Sequence, residues 1–322
     1  MTSSATHALA EQAAPPPRTF AAFACVYFFW GSTYTAIHVA GLYLAPSLVA
    51  ACRTLLTTIL LIAICRATGR SLRVTRGEVW RLALVGVLFM TVNAILLTWA
   101  ETLVASGVAS LLVSTMPIMV AVIEAAMPGG EALNKRGWAG TLLGTAGMVA
   151  LVWPSLRTGG TIGDHHMLAY SLLLLAALAF AVGAVLSRRF RFQRDAFVVT
   201  TWQIGSASLC NLMLALADGS LHTAVWTRGG VASIVYLSIF GSLVGLSCLT
   251  YLLQHVAVTK VSTYAFVNPI VAVLLGILLL GERLSASEVL GMAIIIAAVA
   301  VVIFSRVERS PETSPQDDPQ WI

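Results

Sequence analysis

Ten apolar runs of membrane-spanning length leave this chain few ways to fold. They cover residues 19–40, 47–66, 79–99, 104–126, 137–154, 167–188, 196–217, 229–254, 260–280 and 286–306. A helix needs about 20 apolar residues to cross roughly 30 Å of hydrocarbon. No water in that layer can satisfy a free backbone N–H or C=O, so only helices and closed barrels span it. Barrel strands alternate polar and apolar positions over about ten residues, whereas these runs are apolar on every side. The expectation is an all-α integral membrane protein with ten transmembrane helices. Composition points the same way: 58% of the residues are hydrophobic and 10% charged, against about 25% charged in an average soluble domain. A surface so poor in charge needs lipid as its solvent.

The charges also set an orientation. With the N-terminus in the cytoplasm, 15 of the 19 Lys and Arg fall on the cytoplasmic side: Arg18, a group from Arg66 to Arg81, Lys135 and Arg136, a group from Arg188 to Arg194, Lys260, Arg306 and Arg309. Arg157, Arg228 and Arg283 fall on the other side, and Arg53 lies within the second span. This positive-inside bias predicts two cytoplasmic termini. The basic residues belong to membrane topology, so the net charge of +5 is no argument for nucleic acid. Residues 1–18 and 307–322 read as disordered cytoplasmic tails, and the first lacks the pattern of a signal peptide. All five cysteines lie in apolar runs, as small hydrophobes.

The chain repeats itself. A Pro-Ile pair, an apolar run, a Gly-Glu pair and a later Gly occur between Ser114 and Gly140 and again between Phe266 and Gly291. Trp30 and Arg53 have counterparts in Phe180 and Gln203, each 150 positions on; Pro117 pairs with Pro269, 152 on, and Glu131 with Glu282, 151 on. Five spans per copy is an odd number, so the second copy must enter the membrane upside down. The expected units are a first repeat at 19–154, a periplasmic linker at 155–166 and a second repeat at 167–306.

At these residues the chain resembles the EamA-like, ten-helix branch of the drug/metabolite transporter superfamily. The resemblance rests on WGSTYTAIHV (Trp30–Val39), Arg53, ALAFAVGAVLSRR (Ala177–Arg189), Trp202 with Gln203, and VNPIVAVLLGILLLGERLSASEVLG (Val267–Gly291). The first copy of the last motif is degraded to MPGGE (Met127–Glu131). The resemblance implies a bacterial inner-membrane carrier that exports amino acids, nucleobases, related metabolites or drugs. It also implies a path between the repeats, lined by helices 1, 3, 4, 6, 8 and 9.

Candidate solute contacts on helices 1, 3, 8 and 9 are Trp30, Ser32, Tyr34, Asn93, Trp99, Tyr251, Tyr264 and Asn268. Their aromatic faces and polar tips suit a small amphipathic solute; Trp99 and Tyr251 alternatively belong to the interfacial belt. Pro117 and Pro269, within their spans, each remove a backbone donor and free a carbonyl four residues earlier. They are expected to kink the pathway helices and act as hinges. Arg53 reads as a structural anchor that snorkels toward the outer interface, with a contact to Glu101 or a gate as the alternative. Glu101, Glu124 and His38 are the titratable candidates if a proton is the coupling ion. Glu131 and Glu282 read as N-terminal caps of helices 5 and 10. Gly137, Gly140, Gly144 and Gly147 read as a packing stripe, with a homodimer contact as the alternative to a monomer. Asp164, His165 and His166 read as a solvated loop.

No nucleotide-binding loop, HExxH motif or nucleophile elbow is present in the sequence, and no cofactor or metal is expected. The reading is a secondary transporter for a small solute, and the alternative is an intramembrane enzyme or sensor. The latter requires Glu101 and Glu124 at one membrane depth. Reporter fusions to the two ends of the chain are expected to report the same, cytoplasmic compartment; opposite compartments would contradict the ten-span topology.

Overall fold

The computed structural model describes residues 17–104, 109, 112–158, 164–280, 286–305 and 307–309. Ten principal helices follow in order: α1 Pro17–Gly41, α2 Pro46–Ala67, α3 Arg76–Glu101, α4 Met116–Ala126, α5 Lys135–Thr158, α6 Asp164–Arg189, α7 Ala196–Ala217, α8 Arg228–His255, α9 Tyr264–Leu280 and α10 Ala286–Phe304. A helical turn, Val258–Val261, precedes α9. Six of the ten, α1, α2, α3, α6, α7 and α8, are long and apolar enough to cross a membrane. The protein is an all-helical membrane protein.

Local chemistry sets where helices start. Pro46 opens α2, where its missing N–H is one of the donors left unused anyway. Thr75 and Glu78 form a capping box on α3. Asp195 caps α7 through the Phe197 N–H at 2.9 Å, and Thr227 caps α8 through the Gly230 N–H at 3.1 Å. Past the ends of α2 and α7, Gly69 and Gly219 take positive φ values of 69° and 71°, the left-handed turn that ends many helices. These two glycines are separated by the same interval as Arg53 and Gln203, so the repeat extends to the turns.

The two halves are inverted. Along α2 and α7, Ser47 meets Ser220 at 3.3 Å, Thr54 meets Asn211 at 3.3 Å, and Cys65 meets Thr201 at 3.6 Å. As one number rises the other falls, so equivalent helices run antiparallel. The α5–α10 pair does the same: Gly137 abuts Ser305, Gly140 abuts Val302, and Gly147 abuts Ile294. Further pairings are symmetric under exchange of the halves. α1 packs on α8 and α9, and α6 packs on α3 and α4. The glycine stripe of α5 is therefore covered within one chain, by α10 with Ser305 just beyond it and, at Gly144, by Phe266 of α9.

Several sequence expectations need correction. α5 reaches Thr158 and α6 begins at Asp164, so Asp164, His165 and His166 lie in a first helical turn rather than a loop. Val307–Arg309, read as tail, forms a strand antiparallel to Glu131–Leu133. Glu131 therefore does not cap α5. The Asn134 side-chain oxygen does, accepting from the Gly137 N–H at 2.9 Å, because the strand carries Glu131 away from the helix start. Glu282 lies outside the described residues. Pro117 does not kink a continuous helix: turn residues 114–115 interrupt the span, and Pro117 sits in the first turn of α4. Its missing donor costs nothing there. Pro269 lies inside α9.

Two features had no sequence signal. α3 and α8 each carry a π-helical stretch, Leu88–Val92 and Leu237–Val244, at equivalent places in the two repeats. Gly86, just before the first, lies so close to α7 that a Cβ would overlap the Gln203 carbonyl. Gly205 on α7 has room: a Cβ there would lie an ordinary 3.5 Å from Thr58 Cγ2. Gly86→Ala is therefore expected to destabilise the protein by about 1–3 kcal/mol. Gly205→Ala is expected to be neutral, or stabilising by about 1 kcal/mol at most. Thermal unfolding of the purified protein in detergent checks both.

Candidate functional site

A central cavity of about 70 Å³ lies where α1, α2, α3, α4, α6 and α9 meet. On α1, residues at spacings of three and four, Trp30, Thr33, Tyr34 and Ile37, line it. α3 contributes Phe89, Met90, Asn93, Ala94 and Leu97; the first two come from its π-helical stretch. π-Turns inside helices occur often at functional sites, because the extra residue re-aims side chains.

The cavity floor is aromatic. Trp30 sits edge-on to Phe180 (5.5 Å between ring centroids, 90°) and to Tyr264 (4.7 Å, 83°). Phe89 stacks on Phe180 at 4.4 Å and 27°. Edge-to-face and offset stacks of this kind are the favoured ring geometries. The indole N–H of Trp30 donates to the Gly241 carbonyl in the π-helical stretch of α8, at 2.9 Å. The Tyr264 hydroxyl donates to Met116 Sδ at 3.2 Å. These bonds join opposite repeats, so the floor is shared between them.

Polar groups surround that floor. Tyr34 and Asn268 both line the cavity. Asn93 Nδ2 donates to the Ala176 carbonyl at 3.0 Å. Arg53 is 9% exposed and lines the cavity. It does not snorkel: its Nε donates to Ser242 Oγ at 2.6 Å, which turns the guanidinium inward. Its carbonyl accepts from Thr57 at 2.7 Å and Ser238 at 3.2 Å. Glu101 is not its ion-pair partner. Glu101 ends α3, is 4% exposed, and has no hydrogen bond to either carboxylate oxygen among the described residues.

The structure thus gathers Trp30, Tyr34, Asn93, Tyr264 and Asn268 and leaves out the other three solute candidates. Ser32 is engaged by Tyr236 at 2.5 Å and by the Phe29 carbonyl at 2.8 Å. Trp99 is 46% exposed on the outside of the bundle. Tyr251 stacks on His255 at 4.2 Å, away from the cavity. His38 is exposed on α1. Phe89, Met90 and Met116 were not singled out from the sequence, since nothing distinguishes an apolar cavity residue from its lipid-facing neighbours on a helix that is apolar all round.

A second, larger cavity of about 870 Å³ opens at the Arg-rich end, where α4, α6 and α8 finish. Arg188, Arg189, Arg191 and Arg194 line it, with one carboxylate, Glu124. Arg189 lies 3.8 Å from Glu124. Arg194 makes two bonds to Glu78, at 3.1 and 3.0 Å, and this partner pushes the Arg194 pKa further up. Glu124 is therefore at the Arg-rich end and Glu101 at the far end of α3. The two carboxylates do not share a depth, so they form no catalytic dyad. Between the cavities lies a packed cluster that includes Trp30, Phe180, Tyr264, Val120, Leu249 and Leu253.

Comparison with known proteins decides the family. The EamA-like transporter family model matches residues 19–153 and 167–304. The chain belongs to that family. It is 30% identical over 288 residues to the uncharacterized inner membrane transporter YedA of Escherichia coli, covering 89% of this chain and 91% of that one. It is 28% identical to Protein PecM of Dickeya dadantii, covering 87% and 92%. A protein of known crystal structure superposes with a TM-score of 0.73 at 20% identity, over 88% of this chain and 95% of the other, which supports the fold. This EamA-like protein thus carries one family unit in each inverted half.

Trp30→Phe keeps an aromatic ring, though a smaller one, but removes the bond to Gly241, and is expected to cost about 1–3 kcal/mol. Trp99→Phe, on the outer surface, is expected to stay within about 0.5 kcal/mol. Denaturant titration of the two purified variants separates a built contact from an interfacial ring.

Proposed function

We propose that this protein is a secondary transporter that exports a small amphipathic metabolite or drug across the bacterial inner membrane by alternating access. The observation that carries this reading is the pair of cavities separated by an aromatic layer at the seam between inverted repeats. Rocking one repeat against the other would open one cavity as it closes the other. With the Arg-rich end in the cytoplasm and both termini there, the larger cavity faces the compartment from which an exported solute is drawn. The central cavity is far below the roughly 300–1,000 Å³ of ordinary ligand sites, so this conformation is one in which the binding layer is closed down.

Pro269 lies one position from Asn268 in the described part of α9, and the missing hydrogen bond at Pro269 marks a hinge at the cavity wall. Proton coupling falls to Glu101. Of the three titratable candidates it is the buried one with both oxygens unpaired among the described residues, whereas His38 is exposed and Glu124 lies beside Arg189. An intramembrane enzyme has no support from the positions of the carboxylates.

Counterflow into proteoliposomes tests the reading. Accumulation of labelled solute is expected for at least one class among amino acids, nucleobases and cationic drugs. Pro269→Ala is expected to lower the rate at least tenfold with thermal unfolding unchanged. No accumulation of any of the three classes by well-folded protein would contradict the proposal.

A further inference from the structure

We infer that the central cavity recognises a carboxylate, held by the terminal nitrogens of Arg53, on a solute with a planar apolar body. The inference rests on the transport reading only in taking this cavity as the solute site. Arg53 is a buried charge with no ion-pair partner among the described residues. A cation inside the bilayer is costly, about 2.5–3.5 kcal/mol on insertion scales, and a buried one is normally paired. Three ion pairs are found among the described residues: Arg70–Asp195 at 3.1 Å, Arg189–Glu124 at 3.8 Å and Arg194–Glu78 at 3.0 Å. None involves Arg53. Its Nε is committed to Ser242, but neither terminal nitrogen has a hydrogen bond or a carboxylate partner among the described residues.

The arrangement suits a ligand better than an anchor. Holding Nε from one side fixes the plane of the guanidinium and leaves its two ends for a partner. That fork matches a carboxylate with two parallel bonds. The wall facing it is made of Trp30, Phe89, Phe180 and Tyr264, which offers ring faces and edges to a planar body. A cavity of about 70 Å³ takes the carboxylate head with little else, so the rings must part to admit the rest. The field at the other cavity has the matching sign: its four arginines outnumber the two carboxylates set against them, Glu124 and the Glu78 that pairs with Arg194, and the surplus positive charge raises the local concentration of anions at the mouth.

The test uses three compounds of nearly one shape: hydrocinnamate, its neutral amide, and phenethylamine. Binding to the purified full-length protein is read by thermal shift and by equilibrium dialysis. Hydrocinnamate is expected to bind at least tenfold tighter than the amide or the amine. Arg53→Gln is expected to abolish that preference while leaving the amide's affinity unchanged, and Arg53→Lys to retain part of it. If Arg53→Gln does not fold, Ser242→Ala, which frees Nε, is expected to weaken hydrocinnamate at least threefold and spare the amide. Equal binding of acid, amide and amine would overturn the inference, as would binding of none of them or an acid preference that survives these substitutions. Acid-selective binding with no counterflow of any solute would instead contradict the transport reading and leave carboxylate recognition standing.

Discussion

Inside hydrocarbon a polar group has only the protein to bond with, and in this chain each repeat supplies what the other lacks. α1 and α2 give hydrogen bonds to α8: Trp30 to the Gly241 carbonyl, Arg53 to Ser242 and Thr57 to the Ser238 carbonyl at 3.0 Å. In return α3 receives and gives across the seam, with Asn211 of α7 donating to the Met90 carbonyl at 2.8 Å and Asn93 donating to the Ala176 carbonyl of α6. A half without its counterpart would leave these groups facing lipid, where each unsatisfied one costs several kcal/mol. The inverted pair is thus the unit that is stable, and its seam is where polar side chains can sit in a membrane at all.

Close backbone approach makes that seam tight. Gly86 against Gln203 and Gly241 against Arg53 occupy α3 and α8, the two helices that carry π-helical stretches. On Gly241 a Cβ would lie 2.9 Å from Thr33 Cγ2 and 3.1 Å from an Arg53 nitrogen, so a larger residue would displace the guanidinium from its bond to Ser242. The π-stretch of α3 brings Phe89 and Met90 to the cavity, and that of α8 presents the Gly241 carbonyl to Trp30 and the Ser242 hydroxyl to Arg53. Packing between α5 and α10 is of the same kind: Gly140 and Gly147 of α5 meet Val302 and Ile294 of α10.

The fold was legible because membrane helices announce themselves by length and composition, and because the internal repeat ties the number of helices in one half to that in the other. Single positions were harder. In water a helix shows its buried face as an apolar stripe; in lipid all faces are apolar, and Trp30 and Trp99 look alike although one floors the cavity and the other faces out. Arg53 carried the cost of its burial in the sequence but not the direction of its side chain, which depends on Ser242, 189 positions away. Pro117 and Pro269 match in the repeat and differ in role, since a turn at 114–115 releases the first from the helix interior. Glu131 lost its capping role to Asn134 through a strand that pairs with residues near the end of the chain, a long-range contact no local pattern records.

The central claim is that two inverted repeats move against each other about the aromatic layer, so that one end closes as the other opens. Distances between spin labels in a lipid nanodisc test it most directly. One pair is placed at Pro128 and Gln193, on different repeats and both lining the Arg-rich cavity. The other is placed at Tyr43 and Val225, joined at the opposite end by a 3.2 Å backbone hydrogen bond. On addition of a transported solute the account predicts that the first distance shortens as the second lengthens. Two distances that stay fixed during measurable flux, or that change in the same sense, would contradict it.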